Sequence, residues 1–282
     1  MPYEKYLKDK LIINLCPTGM VPTKELNPYT PISVDEIVKT AVSCAKLGVS
    51  VVHIHPRDNY GKPTWRKDAF AKIIEGIRNN TDLIISVSTS GRNWSEFEKR
   101  SECLELEGDL KPELASLTVG SMNFINQESV NSPQMIELLA KKMMDRGIKP
   151  EFEIFEPGML HKAKFLLQKE IVKDEKPYFN LLFGSLGTAP FEPMVFATLL
   201  SMLPTNSVWS AAGIGQYQLY ANAAAIIFGG HIRIGLEDNL YYSYDAKEPA
   251  TNDVLVERIV GIANKLGRGI ATPKEAREIL GL

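Results

Sequence analysis

The sequence predicts a single (β/α)8 barrel of the TIM type, and three observations predict it. Short apolar runs rich in β-branched residues recur eight times along the 282 residues, each followed by apolar residues at helical spacing. The runs begin about 25 to 40 residues apart, which is one strand, one helix and two connections. No Pro/Ser/Gly linker or low-complexity segment divides the chain, so residues 1–282 read as one domain. Eight βα units in a row favour a closed barrel over an open doubly wound sheet.

In chain order, the strand candidates are Leu11–Cys16, Ser50–Ile54, Leu83–Ser88, Leu114–Val119, Glu151–Phe155, Tyr178–Phe183, Ser207–Ala211 and His231–Ile234. The helix after the first strand is the best signalled, because Ser33 with Glu36 three residues later forms a capping box behind Pro31, opening Ser33–Leu47. Further helices are predicted over Arg66–Asn79, Ser132–Arg146, Glu192–Leu203, Tyr217–Phe228 and Asn252–Leu266, with a short one from Pro273 to Leu280. Gly48, Gly147 and Gly229 stand where helix C-termini call for a left-handed residue.

Composition narrows the class of function. A hydrophobic share of 44% and a charged share of 23% describe a globular chain with a sizeable core. A formal net charge of -2 and no run of like charges give no footprint for nucleic acid or an anionic membrane, so a small-molecule partner is expected. Cys16, Cys44 and Cys103 are odd in number and lack CxxC spacing, which argues for a reducing compartment, the cytoplasm. The charged N-terminal stretch is followed by an apolar run of only about five residues, too short for a signal or a membrane span.

The strongest chemical signal is His53-Ile54-His55-Pro56-Arg57-Asp58. Two histidines at i and i+2 on a strand project to the same face and can share a metal, and this strand end is where barrel active sites lie. Read alone, the pair is equally a pair of satisfied polar residues. A catalytic metal takes a further protein ligand, usually a carboxylate from another strand end. Gly229-Gly230-His231-Ile232-Arg233-Ile234-Gly235-Leu236-Glu237-Asp238-Asn239 offers Glu237, since in a closed barrel the eighth strand lies beside the first and one away from the second. His231, at the start of that strand, reads as structural. Arg57 and Asp58 read as a local ion pair, and Cys16 as a small core residue. The glycines of Gly184-Ser185-Leu186-Gly187 and Gly213-Ile214-Gly215 suit either a phosphate contact or simply tight βα turns. An amidohydrolase-type barrel also uses an HxH pair, but needs further metal histidines, and only His161 and His231 remain.

Taken in order, Thr18-Gly19, HIHPRD at His53 to Asp58, STSG at Ser88 to Gly91, EFEIFE at Glu151 to Glu156, GGHIRIGLEDN at Gly229 to Asn239 and ATPKEAREIL at Ala271 to Leu280 resemble the β-keto acid cleavage enzyme family over essentially the whole chain. The resemblance implies a zinc-dependent (β/α)8 enzyme that condenses a β-keto acid with acetyl-CoA and cleaves the adduct to acetoacetate and a new CoA thioester. It implies a homotetramer, zinc ligands His53, His55 and Glu237, a catalytic pair of Arg233 and Asp238, and Ser88, Ser116 and Glu153 around the substrate. Arg233 is expected to orient Asp238 and to depress its pKa. Glu153 faces away from Phe152 and Ile154 and suits support of Arg233 as well as substrate contact. Two imidazoles and a carboxylate also suit other divalent ions.

The sequence departs from the family at one informative place. Members with an aminated substrate carry an acidic residue after the first-strand TG motif, and here that position is Val21. A valine cannot pair with an ammonium, so the expectation is a substrate with an uncharged tail. Ser116 stands where such members have threonine and keeps the hydroxyl.

Overall fold

The computed structural model describes residues 9–282; the charged N-terminal stretch up to Lys8 lies outside them. Eight parallel strands close into a barrel: β1 (Ile13–Leu15), β2 (Val51–Ile54), β3 (Ile84–Val87), β4 (Leu114–Thr118), β5 (Lys149–Ile154), β6 (Tyr178–Phe183), β7 (Val208–Gly213) and β8 (His231–Ile234). β1 pairs with β2 on one side and β8 on the other, with Asn14 opposite both Val51 and Arg233, so the β2 and β8 ends are two strands apart as expected.

Outer helices are α1 (Val34–Lys46), α2 (Lys67–Arg78), α3 (Phe97–Ser101), α4 (Pro133–Asp145), α5 (Pro157–Gln168), α6 (Pro193–Met202), α7 (Gln218–Ile227) and α8 (Asn252–Lys265). α9 (Pro273–Leu280) follows. The Ser33 capping box is present, and Gly48, Gly147 and Gly229 all have positive φ. Two helices go beyond the predicted set. α3 has five residues, too few to show a period, and α5 has apolar residues on more than one face, with Pro157 as its N-terminal mark and no side-chain cap at Glu156. Between β4 and α4 a small antiparallel ribbon pairs Met122–Asn123 with Glu128–Ser129. Among the described residues no helix is long and apolar enough to cross a membrane.

The two-residue strand period divides the apolar residues into two cores. Ile13, Leu15, Val52, Ile54, Ile85, Val87, Phe152 and Phe179 point outward and pack under the helices. Ile12, Val51, Ile84, Leu114 and Tyr178 fill the lower barrel, where Ala276 and Leu280 of α9 close the floor. Above that floor the interior turns polar, with Asn14, His53, Ser86, Glu151, Asn180, Ser210 and Arg233 all buried.

His231 sits at the lower end, and its Nδ1 accepts the Ile12 N–H at 3.0 Å, a bond only the neutral ring can make. Burial, with Arg268 nearby, pushes its pKa down to about 3, against about 6.5 for an unfolded histidine. The unfolded chain therefore takes up this proton first. The stability His231 contributes is complete above about pH 6.5 and is lost as pH falls toward 3. His231→Asn keeps an acceptor for Ile12 and cannot titrate, so its unfolding free energy is expected to fall less between pH 7 and pH 5 than that of the wild type. Urea denaturation across that range checks this, and parallel slopes would refute the assignment.

Candidate active site

Every group the barrel mouth gathers is placed by the strand ends. His53 lies inside β2, fully buried, and His55 follows two residues on, bringing their Nε2 atoms to 3.1 Å of one another. The His55 Nε2 lies 3.2 Å from Glu237 Oε1. One ligand atom from each of His53, His55 and Glu237 falls within 4.8 Å of the others, across two elements far apart in sequence.

The orientation of His53 is set from behind. Ser86 on β3 donates to Glu151 Oε2 at 2.7 Å, and its oxygen lies 3.2 Å from His53 Nδ1. A hydroxyl that spends its one proton on Glu151 can only accept from His53, so Nδ1 carries the hydrogen and Nε2 presents a lone pair to the mouth. Burial pushes the His53 pKa well below its ordinary value and keeps the ring neutral. Glu151, fully buried, also accepts from Asn14 and Asn180 at 3.0 Å each. Burial raises its carboxyl to about 7, in part offset by Arg233.

Arg233 is the hub on the other side. Its Nε and Nη2 hold the two oxygens of Asp238 at 2.9 and 3.1 Å, its Nη2 lies 2.9 Å from Glu237 Oε1, and its Nη1 lies 3.2 Å from Glu153 Oε1. Thr118 donates to the other Glu153 oxygen at 2.6 Å. Burial works against ionising Glu237, yet Arg233 and His55 hold its carboxyl below the usual range. Asp238 goes the other way. Burial and the neighbouring Glu237 and Glu153 charges outweigh Arg233 and raise it, correcting the expectation that Arg233 would depress it.

The turn after β8 that returns Glu237 and Asp238 over the mouth needs two glycines. Gly235 has φ of 149°, and a side chain there would run into the Cys16 carbonyl. Gly19 faces Glu237 itself: a Cβ would stand 2.5 Å from Glu237 Cγ. The turn is braced by Gln218 on the Gly235 carbonyl at 2.9 Å and by Asn252, which accepts from Leu236 and donates to the Pro17 carbonyl, both at 3.0 Å. Sequence reasoning missed these amides, as it missed Ser86 and Glu151. The alternation that places Glu153 inside also places Glu151 there, so that signal was available.

The mouth opens into a cavity of about 410 Å³ lined by His55, Ser88, Glu153, Arg233, Glu237 and Asp238, with Val21, half exposed, at the loop after β1. Ser116 lies apart, buried in the β4 wall, its hydroxyl oxygen accepting the Thr89 N–H at 3.3 Å. Arg57 and Asp58 do not pair. Arg57 donates to the carbonyls of Gly19, Pro22 and Gly61, and Asp58 accepts the N–H groups of Tyr60 and Lys62 at 2.9 Å. Arg57 thus anchors the β1 loop under the metal-type cluster. Cys16 is fully buried at the end of β1. Gly184 and Gly213 give room to Tyr217, the tight-turn role, while Ser185 reaches the cavity. His161 lies exposed on α5 and His231 at the barrel floor, so neither supplements the cluster as an amidohydrolase site would require.

The donor set fits a divalent cation. Two imidazole nitrogens and a carboxylate converge, and among the described residues Glu237 Oε2 is buried with no hydrogen-bond partner. A model of the family described as beta-keto acid cleavage enzyme matches residues 10–282. The chain belongs to this family.

Relatives agree. The chain is 39% identical to a 3-keto-5-aminohexanoate cleavage enzyme of Fusobacterium nucleatum, over 98% of this chain and 99% of that one. It is 34% identical to a 3-oxoadipate:acetyl-CoA acetyltransferase of Cupriavidus necator, over 96% and 94%. Like these β-keto acid cleavage enzymes and acetyl-CoA transferases, this chain is an enzyme. Among solved structures, apo ObcA superposes with a TM-score of 0.78 at 20% identity, over 90% of this chain and 66% of that longer one, a likeness of fold. A native KDPGal structure gives 0.54 at 14% identity over 98% of both chains.

Gly19→Ala is expected to cost about 1–3 kcal/mol by overpacking against Glu237. Chemical denaturation checks it, and unchanged stability would show that the turn has slack.

Proposed function

We propose that this protein condenses a β-keto acid that has an uncharged tail with acetyl-CoA, and cleaves the product to acetoacetate and the corresponding acyl-CoA. The observation that carries the reading is the bidentate Arg233–Asp238 pair, which shares one cavity with His55 and Glu237 of the His53–His55–Glu237 cluster. We assign residues 1–282 to one catalytic domain of a cytoplasmic homotetramer.

His53, His55 and Glu237 would hold a divalent cation, zinc by family resemblance, and that ion would supply Lewis-acid polarisation of the 3-keto oxygen. Asp238 removes a C2 proton. Its raised pKa suits this role, since a stronger base is matched to a weakly acidic carbon. Arg233 stays charged, fixes both Asp238 oxygens and keeps the carboxylate aimed into the cavity. C2 then bonds to the acetyl carbonyl carbon of acetyl-CoA and CoA thiolate leaves. The thiolate attacks C3, the C2–C3 bond breaks, and the electron pair returns to C2, which regains its proton from Asp238. Glu153 holds the third nitrogen of Arg233, and Ser88 offers a hydroxyl to the substrate carboxylate. Ser116 would act through the Thr89 N–H that it accepts, shaping the loop that carries Ser88. Val21 forms part of the wall for the tail and gives an ammonium no partner.

The test is incubation of metal-analysed protein with acetyl-CoA and β-keto acids differing in tail charge, with acyl-CoA and acetoacetate followed by mass spectrometry. A neutral six-carbon keto acid is expected to turn over faster than its 5-amino analogue. Asp238→Asn is expected to lower kcat about 10²- to 10⁴-fold, and His53→Ala to lose the bound metal together with activity. Turnover should decline as pH falls through the raised pKa of Asp238. Faster turnover of the amino substrate would refute the tail assignment, and no exchange with any keto acid would refute the reaction.

A further inference from the structure

In the preceding reading the divalent ion would answer Glu237 and the 3-keto oxygen, and the C1 carboxylate of the substrate still needs a partner of its own. Three carboxylates line it, Glu153, Glu237 and Asp238, and the Arg233 guanidinium is spent on all three. Every β-keto acid brings a further carboxylate at C1, and an anion entering near Glu153 and Asp238 is favoured by a cation on its own side of the cavity.

The cavity holds one. Arg92, on the loop after β3, lines it together with Ser88. Among the described residues its guanidinium makes no hydrogen bond and no ion pair; it lies 3.8 Å over the Phe124 ring of the β4 ribbon, and its backbone N–H donates to Ser90 Oγ at 3.3 Å. The neighbouring arginines are committed elsewhere. Arg57 holds backbone carbonyls, and Arg100 donates to the Thr89 carbonyl at 2.9 Å and Asn131 Oδ1 at 2.6 Å. Arg100 also packs under Gly91, so the segment that carries Arg92 is pinned from below.

The Arg92 donors face the cavity with no protein acceptor among the described residues, so they are free to take a ligand's oxygens in place of water. Burial pushes the Arg92 pKa down, and Glu237, Glu153 and Asp238, which raise it, are near enough to act on it. The ring beneath leaves the guanidinium edge, with its fork of donors, to a carboxylate. Ser88 completes the pair, because its oxygen accepts the Ser90 N–H at 3.2 Å and its own proton remains to be donated.

We propose that Arg92, seated on Phe124 and sharing the cavity with Ser88, is the receptor for the C1 carboxylate of the β-keto acid. The assignment rests on the proposed reaction and adds a binding residue to it. It explains how one cavity accepts an anion next to Asp238: the carboxylate is drawn to the β3 side, and C2 is presented to the base on the β8 side.

Acetoacetate is the probe, since it carries the C1 carboxylate and no tail. Metal-loaded wild type, Arg92→Met and Arg92→Lys are titrated with acetoacetate, with CoA and with 3-oxoadipate, binding being followed by ligand-observed NMR and folding by thermal unfolding. Acetoacetate affinity is expected to fall about 10- to 100-fold in Arg92→Met, to recover in part in Arg92→Lys, and CoA affinity and the unfolding midpoint to stay unchanged. Equal acetoacetate affinity in wild type and Arg92→Met overturns the proposal. So does a loss confined to CoA, which makes Arg92 a phosphate contact, or a loss confined to 3-oxoadipate, which makes it a tail contact. If the wild type binds no acetoacetate while CoA binds, the proposed reaction fails, and this assignment with it.

Discussion

The Arg233 guanidinium holds the site in one piece. Asp238, Glu237 and Glu153 converge within hydrogen-bonding distance of it, all at the end of a low-dielectric barrel. Like charges about 4 Å apart repel by about 4 kcal/mol at an effective dielectric near 20, so three such carboxylates would not stay ionised together without a central cation. The guanidinium suits this place because it is planar, always charged and multidentate, which a lysine is not. Its consequence is a division of labour. Glu237 is held ionised, ready to bind a cation, while Asp238, five residues from Arg233 and gripped by it, is nevertheless the more basic carboxyl.

That arrangement depends on a polar layer that the barrel would otherwise fill with hydrocarbon. Asn14, Ser86, Glu151, Asn180 and Ser210 occupy the interior between the apolar floor and the mouth, linked by bonds of 2.7 to 3.2 Å that reach from Tyr178 Oη to His53. Such networks stabilise to the extent that their members are satisfied, and here Asn14 Oδ1 has no hydrogen-bond partner among the described residues. Two side-chain amides and a hydroxyl converge on Glu151, and one chain of donors starts at His53 Nδ1 and passes through Ser86, so the network fixes a tautomer as well as a shape. The apolar burial that offsets its cost lies outside the barrel, beneath the helices, and in the floor closed by Leu280.

The fold was largely legible because the strand period, the cap residues and the glycines are local signals. Tyr178–Phe183 and His231–Ile234 stand where the pattern places them, and other boundaries move by one or two residues. His53, His55 and Glu237 were legible for a geometric reason: the i, i+2 relation and barrel closure both fix distance without knowledge of side-chain packing. The rest depends on the third dimension. Nothing in the sequence says that Arg57 reaches across to the Gly19 and Pro22 carbonyls rather than to Asp58 next to it, or that the Ser116 oxygen is taken by the Thr89 N–H. The sign of the Asp238 shift is also a matter of burial, because sequence names the partner, Arg233, but not the desolvation that outweighs it.

The proposed function divides the chemistry and the specificity between different parts of the molecule. His53 and Arg233 are on strands, and Glu237 and Asp238 follow one within a braced turn, all inside the hydrogen-bonded frame that closes the barrel. Val21, Ser88, Arg92 and Phe124 are on connections, where a replacement disturbs no strand pairing. A relative named for a 5-amino keto acid and one named for 3-oxoadipate differ from this chain at roughly three-fifths and two-thirds of aligned positions. Change of that extent is compatible with one reaction where it spares the strand ends, which would keep the proposed base, its guanidinium and the ligand set in register while the cavity wall is redrawn. On the proposed reading Val21 is a place for such a change, since it lines the cavity from a connection, apart from the turn that carries Asp238.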